Sequence, residues 1–294
     1  MLEKLGCTVN MRALYVEQDN TRFLKLNKYL LENTPQGIST HCIHGEFVAS
    51  RNEILSWTGD KGFAFFFIDP KGWKEIKVET LRPLLERPRS EFVINFMYDF
   101  INRTVPMRAH QQNIIELLGE KIDLDDVTIE RELQILNTYR NNLKKLVPKQ
   151  NFKYPVRSAY VKILDPKKDR TKYHLLYLTT HPKGIIKFME TCEKSSWLQD
   201  VIRAQIRDNK KNEKTGNGDL FADDAPFIDD SEYKINEPHI DQYWLNYIKT
   251  TRTIQESDFA DILETTNWFP KELQASLSRL ISTNKIKNLD AEKP

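Results

Sequence analysis

Asp69-Pro70-Lys71-Gly72 closes the most apolar run in the sequence, Gly62 to Ile68, where Phe63, Phe65, Phe66 and Phe67 surround a single alanine. A carboxylate at the end of a buried strand can orient or deprotonate an amine or a hydroxyl. Ligands of parallel sheets gather beyond the carboxyl ends of the strands. Asp69 is therefore the candidate catalytic group, with an Asp-Pro turn without chemistry as the plainer reading, and Asn95, one residue inside the end of the next strand, is a second polar group at the same edge. Pro70 stops the ladder because it brings no N–H, and Gly72 permits a tight turn out of the strand. Trp73 can stack on a base or cap the core.

Two further positions have the chemistry of a nucleotide site. Glu17 ends the short apolar run Arg12 to Glu17, where an acid can accept hydrogen bonds from a ribose diol; a solvated acid at a strand end is the plainer reading. Gly45-Glu46 follows the run Ile38 to His44. A small residue there lets the backbone approach an adenine, and the carboxylate beside it can accept from the amino group. His41, Cys42 and His44 are close in sequence, but strand alternation separates His41 from the other two and no further ligand cluster is near. They read as structural residues, and no metal site is expected.

The elements that must position these residues follow from periodicity. The run ending at Asp69 suits a central parallel strand buried on both faces. Strands at Arg12–Glu17, Ile38–His44 and Phe92–Phe96 alternate with helical patterns over Phe23–Leu31, around Ile54-Leu55 and over Val78–Leu85. That spacing argues for a parallel sheet with crossover helices. Ile129 to Leu146 reads as a long amphipathic helix. Tyr160–Leu164 and His174–Thr180 alternate like an antiparallel pair joined by a polar turn, and a helix follows from about Ile185 to Ile206.

Composition shifts at residue 207. Residues 207–237 are polar and, in their second half, acidic, and read as a flexible linker. Residues 238–294 recover helical pattern at Ile240–Lys249, Glu256–Glu264 and Pro270–Thr283, with Lys285–Leu289 as a short strand. Three helices and a strand describe a small winged-helix-like domain. The fold class is thus α/β: a mixed sheet domain over 1–206, a linker, and the winged-helix-like domain.

Bulk properties set the limits. A net charge of +2 in 294 residues does not by itself mark a nucleic-acid binder. Three scattered cysteines make neither a disulfide framework nor a four-ligand zinc site, so reduced thiols in a cytoplasmic protein are expected. No apolar run is long enough to span a membrane. Charge is concentrated locally: residues 140–172 carry eleven Lys or Arg against Asp165 and Asp169, with Phe152, Tyr154 and Tyr160 interleaved. Lys144, Lys145, Lys149, Lys153, Arg157, Lys167, Lys168 and Arg170 could follow a phosphate backbone, or form a solvated helix face and hairpin tip. The terminal segment, with seven Lys or Arg against eight acids from Pro238 onward, suits protein docking at least as well as DNA reading through Lys271, Gln274, Ser278 and Arg279.

Four segments together resemble the three-Cys-motif partner proteins, which are methyltransferase-like and encoded beside an iron–sulphur-type protein with three cysteines. They are the strand ending in Glu17, Phe66 to Gly72, Val93 to Arg103, and Thr180-His181-Pro182-Lys183-Gly184 followed by Met189. The resemblance implies a Rossmann-like methyltransferase sheet that binds S-adenosylmethionine, with Glu17 at the ribose and Gly45-Glu46 near the adenine. It puts Asp69, with Pro70 and Gly72 of its turn, beside the reacting group. It implies modification of nucleic acid in a two-component system, of a mobile element or of defence, with the three-cysteine protein as partner. The alternatives are a catalytically inactive partner of that protein and a DNA-binding regulator working through residues 238–290. Members of this family carry a glycine-rich first strand of the form Phe-x-Asp-x-Phe-Ala-Gly-x-Gly, which holds the methionine part of the cofactor. The sequence contains nothing like it. In these sheets that strand is central, so its absence would leave two strands with unpaired edges. A start placed too late, a strand supplied by another polypeptide, or a degenerate member would each account for this.

Overall fold

A computed structural model describes residues 10–122, 129–148, 154–168, 170–215, 237–251 and 253–287. The chain is mixed α/β. Its elements are β1 (Met11–Glu17), α1 (Asn20–Asn33), β2 (Ile38–His44), α2 (Phe47–Thr58), β3 (Ala64–Ile68), α3 (Val78–Leu85), β4 (Ser90–Phe96), α4 (Tyr98–Thr104), α5 (Gln111–Leu118), α6 (Ile129–Leu146), β5 (Arg157–Leu164), β6 (Thr171–Thr179), α7 (Pro182–Thr215), α8 (Glu237–Thr250), α9 (Glu256–Thr266) and α10 (Pro270–Ser282).

Among the described residues six strands form two sheets. β1 and β2 pair in parallel, with Tyr15 opposite Cys42. The other four lie in the order β3-β4-β6-β5, with β3 and β4 parallel and β6 antiparallel to both its neighbours. Among the described residues no ladder joins β1 to β3. One apolar cluster nevertheless spans both sheets: Ile43, with Leu14 and Val16 beside it, shares a core with Phe66, Ile68, Phe92 and Ile94 beneath α2 and α3. On β1 and β2 the opposite face carries α1, where the ring of Phe23 stacks on His44 at 4.8 Å and Thr34 meets Thr40.

The expectation that β3 is buried on both faces is not met. Ala64 and Ile68 are buried, but Phe65 and Phe67 are 56% and 63% exposed, and Phe63 just ahead of the strand is 65% exposed. The cause is topological: β3 is an edge strand here, and no described helix covers that face. A fully buried phenylalanine contributes about 1.5–3 kcal/mol, and this strand forgoes it twice.

The carboxyl-terminal helices sit on the sheet. Ile240, Trp244, Leu263, Leu273 and Leu280 form one cluster with Ala159 and Tyr177 of the strands and Ile185 and Met189 of α7. Polar bonds fix the join. The buried Arg157 guanidinium donates to Asp261 at 2.6 Å. Glu264 accepts from Lys144 at 2.5 Å and from the Ser158 N–H at 2.9 Å. The three helices start and stop close to their expected bounds. Two expectations change. Residues 207–215 continue α7 as helix rather than opening a linker, while 216–236 lie outside the described residues. Lys285 to Lys287 form no strand: the N–H groups of Lys285 and Ile286 turn back to the Leu280 carbonyl. Residues 288 and 289 lie outside the described set. The α9 start is held by the Asp258 carboxylate accepting from the Gln255 N–H.

Gly184 has no slack. A Cβ at Gly184 would come within 2.6 Å of Tyr177 Oη and 2.7 Å of Thr179 Oγ1, both of which donate to Glu91 at 2.6 Å. Gly184→Ala should therefore cost about 1–3 kcal/mol, the usual penalty of overpacking, measured by denaturant unfolding. A neutral result would show that α7 can lift off β6.

His174 is fully buried, with Nε2 3.0 Å from Glu132 Oε1 but off the line of a good hydrogen bond. Glu132 also accepts from Thr171 Oγ1 at 3.0 Å and lies 3.2 Å from the Lys162 ammonium. Burial works against its charge, yet His174 and Lys162 outweigh it and hold the carboxyl down at about 2. Burial also lowers His174, so the imidazole stays neutral near pH 7. On acidification the unfolded chain takes up protons at both residues that the folded one refuses. Stability should fall as pH drops through about 6.5 and again through about 4.5. Thermal unfolding from pH 7.5 to 4 checks this, and His174→Asn should flatten the upper part of the slope. Equal slopes for both proteins would remove His174 from the account.

Candidate functional site

The carboxyl ends of β1, β2 and β3 converge on one open cavity of about 440 Å³, lined by Gln18, Asp19, His44, Gly45, Glu46 and Lys71. Its shape follows from strand endings. The Gly45 N–H donates to the Glu17 carbonyl at 3.1 Å, extending the β1–β2 ladder by one bond. A Cβ at Gly45 would meet the hydroxyl of the buried Ser50 at 3.1 Å, so packing favours glycine there. Glu46 opens α2 without using its side chain as a cap, which leaves its carboxylate available to a ligand.

Glu17 has one oxygen engaged locally, accepting from the Asp19 N–H at 2.8 Å. Asp19 in turn caps α1 by accepting from the Arg22 N–H at 2.8 Å. That backbone hydrogen bond, helped by Arg22 and by Lys71 across the cavity, lowers the Asp19 carboxyl below its ordinary value. Lys71 thus brings a cation to a site otherwise rich in carboxylates. Such an arrangement suits a ligand with several hydroxyl or amino donors and one acceptor group.

Asp69 and Asn95 meet. Asn95 Nδ2 donates to Asp69 Oδ1 at 2.7 Å, the residues lying at the ends of the paired strands β3 and β4. Asn95 Oδ1 is buried and has no hydrogen-bond partner. The exposed Asp69 therefore has one oxygen fixed, and its Oδ2 can turn to a reacting group. Gly72 does not have the role expected of it: its φ is outside the left-handed region, and a Cβ there would meet only Glu75 Oε2 at 3.9 Å. Trp73 packs against the core, edge-on to Phe100 at 5.2 Å and to His110 at 5.5 Å. It is half-buried and caps the core.

The basic stretch is largely bonded within the protein. Lys144 meets Glu264, Lys145 donates to Asn142, and Arg157 is buried on Asp261. Arg170 lies 2.7 Å from Asp99 and 3.4 Å from Asp165. Lys167 and Lys168 are exposed at the hairpin tip, and Lys149 and Lys153 lie outside the described residues. Of the residues suggested for DNA reading, Arg279 is held by Asp241 at 2.6 Å. His44 and Cys42 face α1, while His41 lies on the other side of β2, 3.5 Å from Glu53; among the described residues no group of three or more potential metal ligands occurs. No described helix is long and apolar enough to cross a membrane.

Gln18, Asp19, His44 and Lys71 line the cavity but were not singled out as binding residues from the sequence. The signal for Asp19 was available: an acid two residues past a strand end, before a helical pattern, is both a cap and a cavity residue. No protein-family model, no curated protein and no solved structure matches the chain.

Asp19→Ala should lower the melting temperature by removing the α1 cap, while Asp19→Asn should retain most of it, since the amide oxygen still accepts. Equal losses in a thermal scan would show that charge rather than capping is what Asp19 contributes.

Proposed function

We propose that the chain is a methyltransferase-like protein of the three-Cys-motif partner kind, with a Rossmann-like sheet and a winged-helix-like carboxyl-terminal part. It binds the adenosine end of S-adenosylmethionine and modifies nucleic acid together with a three-cysteine iron–sulphur-type partner. The observation that carries this reading is the cavity lined by the ends of the parallel pair β1 and β2 and by Lys71 after β3, with Asp69 and Asn95 paired where β3 and β4 end. Helices lie on both faces of β1 and β2, and ligands of doubly wound sheets gather at such a crevice. The separation of β1 from β3 falls where the resemblance lacks its central strand.

The residues fit the nucleoside half of the cofactor. Glu17 has an oxygen left for a ribose diol, and Glu46, uncapped, can accept from an adenine amino group beside the backbone of Gly45. A cavity of about 440 Å³ falls within the usual range for small ligands. When bound, the cofactor supplies an electrophilic methyl carbon. Asp69, its Oδ1 held by Asn95, orients an amine or hydroxyl nucleophile and can hold its proton at Oδ2. Among the described residues no glycine-rich turn cradles the methionine half. That favours the second reading, a binding partner without turnover.

Titration calorimetry with S-adenosylhomocysteine and with adenosine tests the proposal. Both should bind, and Glu17→Ala or Glu46→Ala should weaken binding by roughly tenfold, as expected for a hydrogen bond to a charged group. Asp69→Asn should leave binding intact and abolish methyl transfer. Failure of both ligands to bind would overturn the reading. Binding without transfer, with the three-cysteine partner co-purifying in Asp69→Ala as in the wild type, would establish the second one.

A further inference from the structure

We infer that the edge carrying Asp69 is a binding surface for a single strand of nucleic acid, whose phosphates follow cations on α4 and the β5–β6 hairpin tip while one base stacks on Phe100. The inference deepens the functional reading above by naming the strand, and it rests on that reading only for the role of Asp69.

Three segments meet where β3 and β4 end. β6 runs antiparallel to β4 with His174 opposite Phe96, so the hairpin tip that precedes β6 rises at this same edge. The turn after Asp69 is joined to α4 through Trp73, which lies edge-on to Phe100 at 5.2 Å. Trp73 also meets His110 at 5.5 Å, at the end of the short turn Arg108–His110. The hairpin tip is joined to α4 through Asp99. One oxygen of that carboxylate takes Arg170 at 2.7 Å, and the other lies 3.2 Å from Arg103. Asp99 is shielded, with 18% of its side chain exposed, whereas Arg103 is 63% exposed. A sheltered carboxylate thus sets two guanidinium groups side by side and offsets only one of their charges.

More cations flank this pair. Arg108, Lys167 and Lys168 are exposed. Against them stands Asp165, which is already shared between Arg170 and the Lys167 N–H. The set differs from Lys144, Lys145 and Arg157, whose partners lie within the protein. Apolar surface lies among the cations: Phe100 is 40% and Met107 51% exposed, on the segments that carry Arg103 and Arg108. An exposed ring between cations is a platform on which unpaired bases stack. A base in a duplex must leave its stack before an enzyme can reach its reacting atom. Asp69, with Oδ1 held by Asn95, can accept from the amino group of a base brought out in this way. An acidic peptide matches the cations, but Asp69 repels it and it has no base for Phe100. Charge and ring together therefore fit a single strand.

Fluorescence anisotropy of the full chain with a labelled DNA strand of about 15 nucleotides, without cofactor, tests the inference. The strand should bind, and raising salt from about 50 to about 200 mM should weaken it roughly 50-fold, the loss expected of about four phosphate contacts. Arg108→Ala and Lys168→Ala, both at exposed positions, should each lower the salt slope by about 0.7. Phe100→Leu, which keeps a side chain against Trp73, should weaken the strand roughly tenfold without changing that slope. Failure of both the DNA strand and its RNA counterpart to bind at the lower salt overturns the inference. So does equal affinity for a duplex that Phe100→Leu leaves unchanged, or polyglutamate competing as well as the strand. Wild-type binding by all three variants would overturn it too. Titration calorimetry with S-adenosylhomocysteine on the same variants keeps the two readings apart, because none of these residues lines the cavity. Strand binding without cofactor binding would support this inference and remove the methyltransferase reading. Cofactor binding without strand binding would remove this inference alone.

Discussion

Among the described residues apolar contact, and not a continuous ladder, joins the two sheets of this protein. Leu14, Val16 and Ile43 from one sheet meet Phe66, Ile68 and Ile94 from the other beneath α2 and α3. In most sheets neighbouring strands are spaced by backbone hydrogen bonds, which fix distance and register together. Here a shared core brings the two sheets together, and the cavity at their carboxyl ends has its two sides on different sheets.

The opposite end of the molecule is tied far more tightly. Arg157, Arg140 and Ser158 on one side and Asp261 and Glu264 on the other make a set of charged hydrogen bonds across the seam between the strands and α9. Burying Arg157 without Asp261 would leave an uncompensated charge, which costs far more than the pair contributes. The basic residues that suggest a phosphate-binding surface in the sequence are, in several cases, the ones that lock the terminal helices down. Charge counted along a chain does not reveal whether its partners lie in solvent or across a seam.

The legible part of the fold is the part set by local pattern. The apolar runs of β3 and β4 and the helical periodicity of α6 each identify an element without reference to the rest of the chain. Most bounds shift only by a few residues; the exception is α7, which runs on from the expected end at Ile206 to Thr215. The candidate site was half legible. Glu17, Gly45, Glu46 and Asp69 occur at strand ends, which sequence pattern locates. Lys71 and His44 became cavity residues only through the convergence of three strands.

The sequence by itself determined that Asp69 and Asn95 end adjacent strands, and that the strands are parallel where helices separate them. Periodicity and connection length dictate both, and both are short-range. Only the tertiary structure decided that Phe65 and Phe67 remain in water, that Arg157 is turned inward, and that Asn95 reaches Asp69. Each of these depends on which element covers which face. An apolar run announces that a strand is fit for burial, and whether anything buries it is a property of its neighbours.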